Sequence, residues 1–180
     1  HLSNTIDDFR NFFSPNKEMN KFYLSQLIKK SKDLIKSRFD KFNIKVIEHI
    51  DDIEILSYQN ELFQVILNLF SNSIDVLSSS QIENKIIYIK IYHDENNLYI
   101  EFLDNGGGIK DEFINRVFEP YFTTKHKSQG TGIGLYMSLQ IVTKHLNGEI
   151  SVKNDTFIEN NTAYFGAKFT ILLPIHLQKN

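Results

Sequence analysis

Two asparagines interrupt an apolar segment, Gln64 to Leu77, that otherwise has the composition of a buried helix. Asn68 and Asn72 are four residues apart and Asp75 continues the same line, so the three side chains share one helical face. Carboxamides are costly to bury without partners. Two interpretations are open from this segment alone. The asparagines hydrogen-bond to backbone or buried water, or they form an oxygen-rich line that faces a cleft and suits a hard cation such as Mg²⁺.

The composition is typical of an ordinary domain with a sizeable core. Of the 180 residues, 41% are hydrophobic and 23% are charged, which fits one domain and an appendage. The net charge of −2 gives no indication of nucleic-acid binding. The absence of cysteine excludes disulfides and thiolate metal sites, and no apolar run approaches the roughly 20 residues that cross a bilayer. Because the chain starts at His1 and not at Met, we expect a fragment.

The N-terminal residues have the pattern of a packing helix. Leu2, Ile6, Phe9 and Phe13 follow one another at helical spacings, and Pro15 ends the pattern. Such a short helix is not stable alone in water. We therefore expect residues 1–16 to be the tail of a longer helix that packs on another helix, or else to fold back on the main domain, residues 17–180.

The rest of the chain alternates between helix and strand patterns. Helices are predicted at Phe22–Phe39, Glu61–Leu77, Asp111–Val117 and Gly134–Leu146. The first of these places Leu24, Leu27, Ile28, Leu34 and Ile35 on one stripe. Strands are predicted at Lys45–Ile50, Ile53–Tyr58, Lys85–Tyr92, Leu98–Leu103, Glu149–Lys153 and Ala163–Leu173, the last two joined by a polar loop. Because hairpins dominate, we predict an α+β fold, a two-layer sandwich of a mixed β-sheet with helices on one face.

Two glycine-rich segments are candidates for ligand binding. Asp104-Asn-Gly-Gly-Gly-Ile109 follows a predicted strand, and Gly130-Thr-Gly-Ile-Gly-Leu135 leads into a helix. The Asp104 carboxylate can accept a hydrogen bond from an exocyclic amine such as that of adenine, although an Asx-turn is the alternative. Amides of the second segment suit phosphate, with a flexible loop and helix cap as the alternative. The spacing matches neither a P-loop nor the dinucleotide fingerprint.

A segment with two cations lies between the glycine-rich segments. It reads Phe118-Glu-Pro-Tyr-Phe-Thr-Thr-Lys125 and is followed by His126 and Lys127. Cations between two glycine hinges suit a lid that reaches phosphate. A solvated, charged loop has the same composition, so this segment alone decides nothing.

Together, four segments resemble the N, G1, F and G2 boxes of the catalytic, ATP-binding domain of sensor histidine kinases. In order along the chain they are Asn68–Asn72, Asp104–Gly108, Phe118–Lys125 and Gly130–Leu135. That domain has the Bergerat-type ATP-binding fold of the gyrase, Hsp90, histidine kinase and MutL superfamily. The resemblance covers about residues 20–177. The long F box ending in Thr-Thr-Lys is similar to histidine kinases rather than to gyrase or Hsp90, and Thr5–Phe13 resembles the end of the dimerisation hairpin.

The resemblance implies a role for each candidate site residue. Asn72 would coordinate a Mg²⁺ ion that bridges the ATP phosphates, with Asn68 assisting and Asp75 on the same face. Asp104 would hold the adenine amino group, and Lys125 would be a lid cation. The other expected ATP contacts are Gly106, Gly108, Ile109, Gly130, Thr131, Gly132, Ile133, Gly134 and Leu135. Phe118 and Phe122 would pack the closed lid.

The resemblance also implies the reaction. Gyrase-like members carry a glutamate general base where this chain has Asn68, and a carboxamide cannot take a proton from water. The γ-phosphoryl group is therefore expected to pass to a histidine. The histidines of this chain lie at its first residue or are scattered over predicted strands, turns and a helix end, so we assign no catalytic residue and expect the phosphoacceptor to be absent. They are His1, His49, His93, His126, His145 and His176.

The predicted function is the ATP-binding catalytic domain of a two-component sensor histidine kinase. The expected ligands are ATP and Mg²⁺. The expected partners are the protein's own dimerisation and phosphoacceptor domain, a response regulator and, in the full-length protein, a second copy in a homodimer. We expect a cytoplasmic domain, whether or not the full-length protein is membrane-anchored. The alternatives are a Hsp90- or MutL-like ATPase and a non-catalytic nucleotide-binding regulatory module.

Overall fold

A five-stranded mixed β-sheet forms one layer of the molecule. A computed structural model describes residues 18–124 and 130–175. The strands are β2 (Ile44–Ile50), β4 (Lys85–His93), β5 (Asn97–Asp104), β6 (Glu149–Glu159) and β7 (Thr162–Pro174). Their order is β2-β4-β5-β7-β6, in which β2 runs parallel to β4 and all other neighbours are antiparallel. The pairing of β5 with β7 brings the end of β5, at Asp104, beside Gly166 and Ala167.

Helices form the second layer. They are α1 (Leu24–Phe42), α2 (Gln59–Ser79), the short α3 (Asp111–Ile114) and α4 (Gly134–Gln140), which continues as a π-helical turn at Ile141–His145. One core joins α1, α2 and the π-helical turn to one face of the sheet. Phe70 of α2 lies at its centre, with ring contacts to Phe39 of α1 at 5.4 Å and to Phe102 of β5 at 5.0 Å. The predicted two-layer α+β fold is confirmed.

A second, two-stranded sheet was not predicted. Strand β1 (Asn20–Tyr23) pairs antiparallel with β3 (Glu54–Ser57) and buries Phe22 against Ile55. The prediction that a helix begins at Phe22 is therefore wrong, because that residue pairs with a strand far away along the chain. The helix begins at Leu24 and ends at Phe42, where Asn43 takes a left-handed conformation with φ 52°.

Two further details differ from the prediction. Leu34 is 64% exposed, so it does not belong to the buried stripe of α1; Phe39 takes part in that stripe instead. The predicted polar loop between the last two strands is a two-residue turn, because β6 and β7 extend to Glu159 and Thr162. Asn160 and Asn161 both have positive φ, as a type I′ hairpin turn requires.

Some predictions fall outside the described residues. The N-terminal helix pattern, the boundary at residues 16 and 17, and Lys125 lie there. Within residues 18–124 and 130–175, no helix is both long and apolar enough to cross a membrane.

Two leucines on one helix test the packing of α1. Leu27 is 1% exposed, whereas Leu34 is 64% exposed. We expect Leu27→Ala to lower the free energy of unfolding by about 2–5 kcal/mol, because it leaves a cavity in the core. Leu34→Ala should change it by less than about 0.5 kcal/mol. Urea denaturation of the two variants measures both values, and equal losses would contradict this packing.

Candidate functional site

A cleft of about 350 Å³ opens beside α2. Its walls come from α2, the loop that follows β5, the segment after α3, the loop that precedes α4, and β7. Most of the predicted ATP contacts line it, although they are distant in sequence. They are Asn68, Asn72, Asp75, Asp104, Gly108, Ile109, Gly130, Thr131, Gly132, Gly134 and Leu135.

Asp104 is the buried carboxylate of this cleft. It is 4% exposed at the end of β5, and burial raises the pKa of its carboxyl above the usual range. Three donors partly offset this effect: the Gly106 amide at 2.9 Å, the Ser73 hydroxyl at 3.4 Å and the Ala167 amide. The Asx-turn to Gly106 and the cleft-lining position are both present, so the two interpretations of Asp104 are compatible.

Asn68 is oriented by a hydrogen-bond partner on α4. Its Nδ2 donates to the Oγ of Ser138, a buried residue of α4, at 2.8 Å. Its Oδ1 lies so close to Gly134 that a Cβ on that glycine would overlap it. The amide nitrogen is thus engaged, and the oxygen lies beside the start of α4.

Asn72 carries a buried polar atom that is unpaired. Its Nδ2 has no hydrogen-bond partner among the described residues, although the residue lines the cleft. Buried polar atoms are nearly always paired. The unpaired amide therefore marks a position where a polar ligand would make contact. For Asn72 this observation favours the cleft-facing interpretation, whereas the Nδ2 of Asn68 is satisfied internally by Ser138.

Asp75 lines the cleft, and its carboxylate also forms an ion pair with a residue outside the cleft. Its Oδ1 accepts a hydrogen bond from Arg38 Nη2 at 2.8 Å, and Arg38 Nη1 donates to Ser71 Oγ at 3.0 Å. Ser71 lines the same cleft. The α1 helix therefore supplies a cation to the wall that α2 forms.

The loop after β5 is held by two carboxamides. Asn154 of β6 accepts from the Ile109 amide at 2.8 Å and donates to the Ile109 carbonyl at 2.7 Å. The buried Asn105 accepts from the Ile86 amide at 2.8 Å and donates to the Asn84 carbonyl at 2.6 Å. Each side chain bonds to one backbone amide and one backbone carbonyl, as a neighbouring strand would. Together they hold the loop against the sheet.

Aromatic contacts anchor the segment between the two glycine-rich loops. Phe118 packs edge-on against Phe169 of β7, with ring centroids 6.3 Å apart, and Phe122 packs against Phe113 at 5.6 Å. Gly132 has φ +67°, and a Cβ there would overlap the backbone of Tyr121. The Tyr121 amide donates to the Gly132 carbonyl at 2.9 Å. The segment is therefore held against the loop that precedes α4 by the contact between Tyr121 and Gly132.

Not every predicted contact lines the cleft. Gly106 lies beneath it, against Val76 and Asp104. Ile133 faces a neighbouring groove between α2 and α4. Lys125 is outside the described residues. Four residues orient the lining of the cleft without lining it themselves: Arg38, Ser73, Ser138 and Asn154. They had not been predicted, because no local motif contains their long-range partners.

The fold and the cleft define an ATP-binding domain, and the comparisons with known proteins agree. The chain belongs to the family "Histidine kinase-, DNA gyrase B-, and HSP90-like ATPase", whose sequence profile matches residues 57–177. It is 32% identical over 155 residues to Sporulation kinase E of Bacillus subtilis (strain 168), an alignment that covers 85% of this chain and 19% of that protein. The curated relatives are much longer, and the chain spans about a fifth of their length.

Solved structures give the same result. The catalytic domain of histidine kinase ThkA, free of nucleotide, matches with a TM-score of 0.71 at 26% identity, over 88% of this chain and 96% of that domain. ThkA in complex with the response regulator TrrA matches in fold, with a TM-score of 0.72 at 22% identity, over 99% of this chain and 49% of that one. The predicted similarity to the catalytic, ATP-binding domain of sensor histidine kinases is confirmed.

The raised pKa of Asp104 predicts how stability depends on pH. Ionised Asp104 lowers the stability of the folded chain, and this penalty is absent below the ordinary aspartate pKa, where both states are protonated. Asparagine has no ionised form. We therefore expect the free energy of unfolding of Asp104→Asn, relative to the parent, to rise as the pH increases above the ordinary aspartate pKa. Urea denaturation at several pH values measures this difference.

Asp155→Asn is the matched control. The Lys168 ammonium holds the pKa of Asp155 below its usual range, so the Asp155 carboxylate stabilises the fold above the ordinary aspartate pKa, and this contribution is lost on acidification. Its variant should therefore lose stability relative to the parent as the pH rises. The free energy of unfolding of Asp104→Asn relative to the parent could instead stay constant with pH, or fall as it does for the control. Either result would contradict the destabilisation by the buried, ionised Asp104.

Proposed function

We propose that the chain binds Mg-ATP in this cleft and, within a longer protein, passes the γ-phosphoryl group to a histidine of a dimerisation domain. One observation carries the proposal. The buried Asp104 carboxylate and the amides of Asn68 and Asn72 line the same cleft. A carboxylate at one end and amides at the other match a ligand with an amine-bearing base and a phosphate chain.

The adenine end of the cleft is the part around Asp104. A carboxylate that already accepts hydrogen bonds from three donors is held in one orientation. It retains acceptor capacity for the exocyclic amine of adenine, since a carboxylate has about four lone-pair sites. Guanine carries a carbonyl oxygen at that position, which a carboxylate repels. We propose that Asp104 gives the site its preference for ATP over GTP.

The phosphate end of the cleft is the part around Asn68 and Asn72. Amide oxygens are hard ligands, and Mg²⁺ is usually held by few protein oxygens together with substrate phosphates and water. The Ser138 bond leaves the oxygen of Asn68 for a ligand. The Nδ2 of Asn72, which has no partner among the described residues, is a donor and suits a phosphate oxygen. The oxygens of the two side chains are the atoms that would hold the ion, which would neutralise phosphate charge. Amides at Gly130, Gly132 and Gly134 are proposed to contact the phosphates.

The chemistry of Asn68 favours phosphoryl transfer to a protein group over transfer to water. A carboxamide cannot act as the general base that hydrolysis requires. Phosphoryl transfer needs positioning and charge stabilisation more than proton abstraction when the acceptor is a neutral imidazole. We propose that this chain positions ATP and excludes water, while the acceptor imidazole comes from the dimerisation domain.

The partners follow from the relatives. ThkA has been solved with a response regulator, and we propose that a response regulator takes the phosphoryl group from the full-length protein here as well. We also propose that the full-length protein acts as a homodimer. A domain that uses ATP works where ATP is supplied, which favours the cytoplasm.

Calorimetric titration of ATP tests the pocket. We expect the 180-residue chain to bind ATP more tightly with Mg²⁺ than without it. Asp104→Ala should weaken Mg-ATP binding by about 10- to 100-fold, because a hydrogen bond to a charged group is lost. Asp155→Ala, which removes a carboxylate that does not line the cleft, should bind like the parent. If the parent does not bind ATP, the proposal fails.

Analysis of the products formed from Mg-ATP separates the alternatives. Little ADP should form when the chain is incubated with Mg-ATP alone, and phosphohistidine should form when a dimerisation domain is added. Steady hydrolysis by the chain alone would instead support a Hsp90- or MutL-like ATPase.

Two glycine variants test the contact between Gly132 and the backbone of Tyr121. Gly132→Ala should weaken Mg-ATP binding by at least about threefold, because the new Cβ displaces the segment that covers the cleft. Gly107→Ala is the matched control, since Gly107 also has positive φ, at +91°, but has no atom within 4 Å of the added Cβ. It should lower the unfolding temperature and keep the ATP affinity. Equal Mg-ATP affinities of the two variants would show that the contact between Gly132 and Tyr121 does not support binding.

A further inference from the structure

A guanidinium lies behind the wall of the cleft that α2 forms. Arg38 of α1 bonds to Ser71 Oγ at 3.0 Å and to Asp75 Oδ1 at 2.8 Å. Ser71 and Asp75 are one helical turn apart and both line the cleft, but Arg38 does not line it. One cation therefore engages two groups of the binding wall from outside it.

Core packing sets the position of Arg38. The next residue, Phe39, is buried and packs edge-on against Phe70 at 5.4 Å, and Phe70 precedes Ser71 on α2. This contact fixes α1 against α2 at the level of the cleft. The guanidinium is thus directed to α2 by a rigid part of the fold.

The charge of Asp75 conflicts with the proposed ligand. Its carboxylate lines a cleft that is proposed to hold a triphosphate, and like charges repel. Asp75 is three residues from Asn72, a rise of about 4.5 Å along the helix. That separation is shorter than the screening length of about 8 Å at physiological salt. Without a cation beside it, Asp75 would weaken the binding of any phosphate chain held near Asn72.

Fold stability alone does not explain the ion pair. The side chains of Arg38 and Asp75 are 37% and 35% exposed, and pairs this exposed contribute little to folding. A second ion pair on α1, between Lys32 and Glu48 at 2.6 Å, lies away from the cleft. It offers a comparison in which a cation of the same helix is removed without any change at the binding wall.

We infer that Arg38 is a positioning residue of the nucleotide site, which neutralises Asp75 and orients Ser71 so that the α2 wall accepts the phosphates of ATP. The inference rests on the proposed function and deepens it. It assigns the charge balance of the cleft to a residue of α1, outside the four sequence motifs.

A double-mutant cycle tests this inference. Dissociation constants of Mg-ATP and of adenosine are measured for the 180-residue chain and for Arg38→Met, Asp75→Asn and the double variant. We expect Arg38→Met to weaken Mg-ATP binding by about three- to fivefold and adenosine binding by less than about 1.5-fold, because adenosine carries no phosphate. In the Asp75→Asn background, Arg38→Met should change Mg-ATP affinity by less than about 1.5-fold. Arg38→Lys should recover part of the loss, because it keeps the charge.

Lys32→Met is the control and should bind Mg-ATP like the parent. Equal loss of Mg-ATP and adenosine affinity in Arg38→Met would show a purely structural role and overturn the inference. Additive losses in the double variant, or no loss in Arg38→Met, would overturn it as well. These outcomes differ from failure of the proposed function, in which the parent chain itself would not bind Mg-ATP.

Discussion

Helix α2 must bury one side in the core and leave the other side polar, and the site depends on this constraint. Its apolar side contacts both α1 and the sheet through Phe70, which fixes the rotation of the helix about its axis. Once that rotation is fixed, Asn68, Asn72 and Asp75 can only face the cleft. The burial of the neighbouring apolar residues therefore positions this line of polar side chains. The core and the cleft lie on two faces of the same helix, α2.

The end of β5 shows how a buried carboxylate is maintained. Burial raises the pKa of Asp104 and so disfavours its ionised form, while bonds from Gly106, Ser73 and Ala167 favour it. These donors come from the following loop, from α2 and from β7, so the carboxylate joins three parts of the fold. Such a group lowers the stability of the free protein, and its proposed role in binding would account for its presence.

The sequence predicted the elements whose evidence is local. The period of α2, the β4–β5 hairpin and the glycine-rich loops each carry their signal within a few residues. The start of α1 at Leu24 could not be predicted, because Phe22 is drawn into a strand by its pairing with Ile55. Likewise, the bonds that orient Asn68 and the loop at Ile109 join residues 70 and 45 positions apart. No local pattern contains such partners; only the packed fold brings them together.

Charge is distributed unevenly along the cleft, and this matters for a phosphate ligand. The end next to α4 carries amides: Asn68, and the backbone of a helix start, which is electrostatically positive. Asp104 lies toward the other end, where Val76 approaches Gly106, whereas Asp75 lies within one turn of α2 from Asn72. Asp104 there suits an amine-bearing base, and Asp75 is engaged by Arg38. The proposed ligand, with a neutral base and an anionic chain, would therefore lie with its phosphates toward α4.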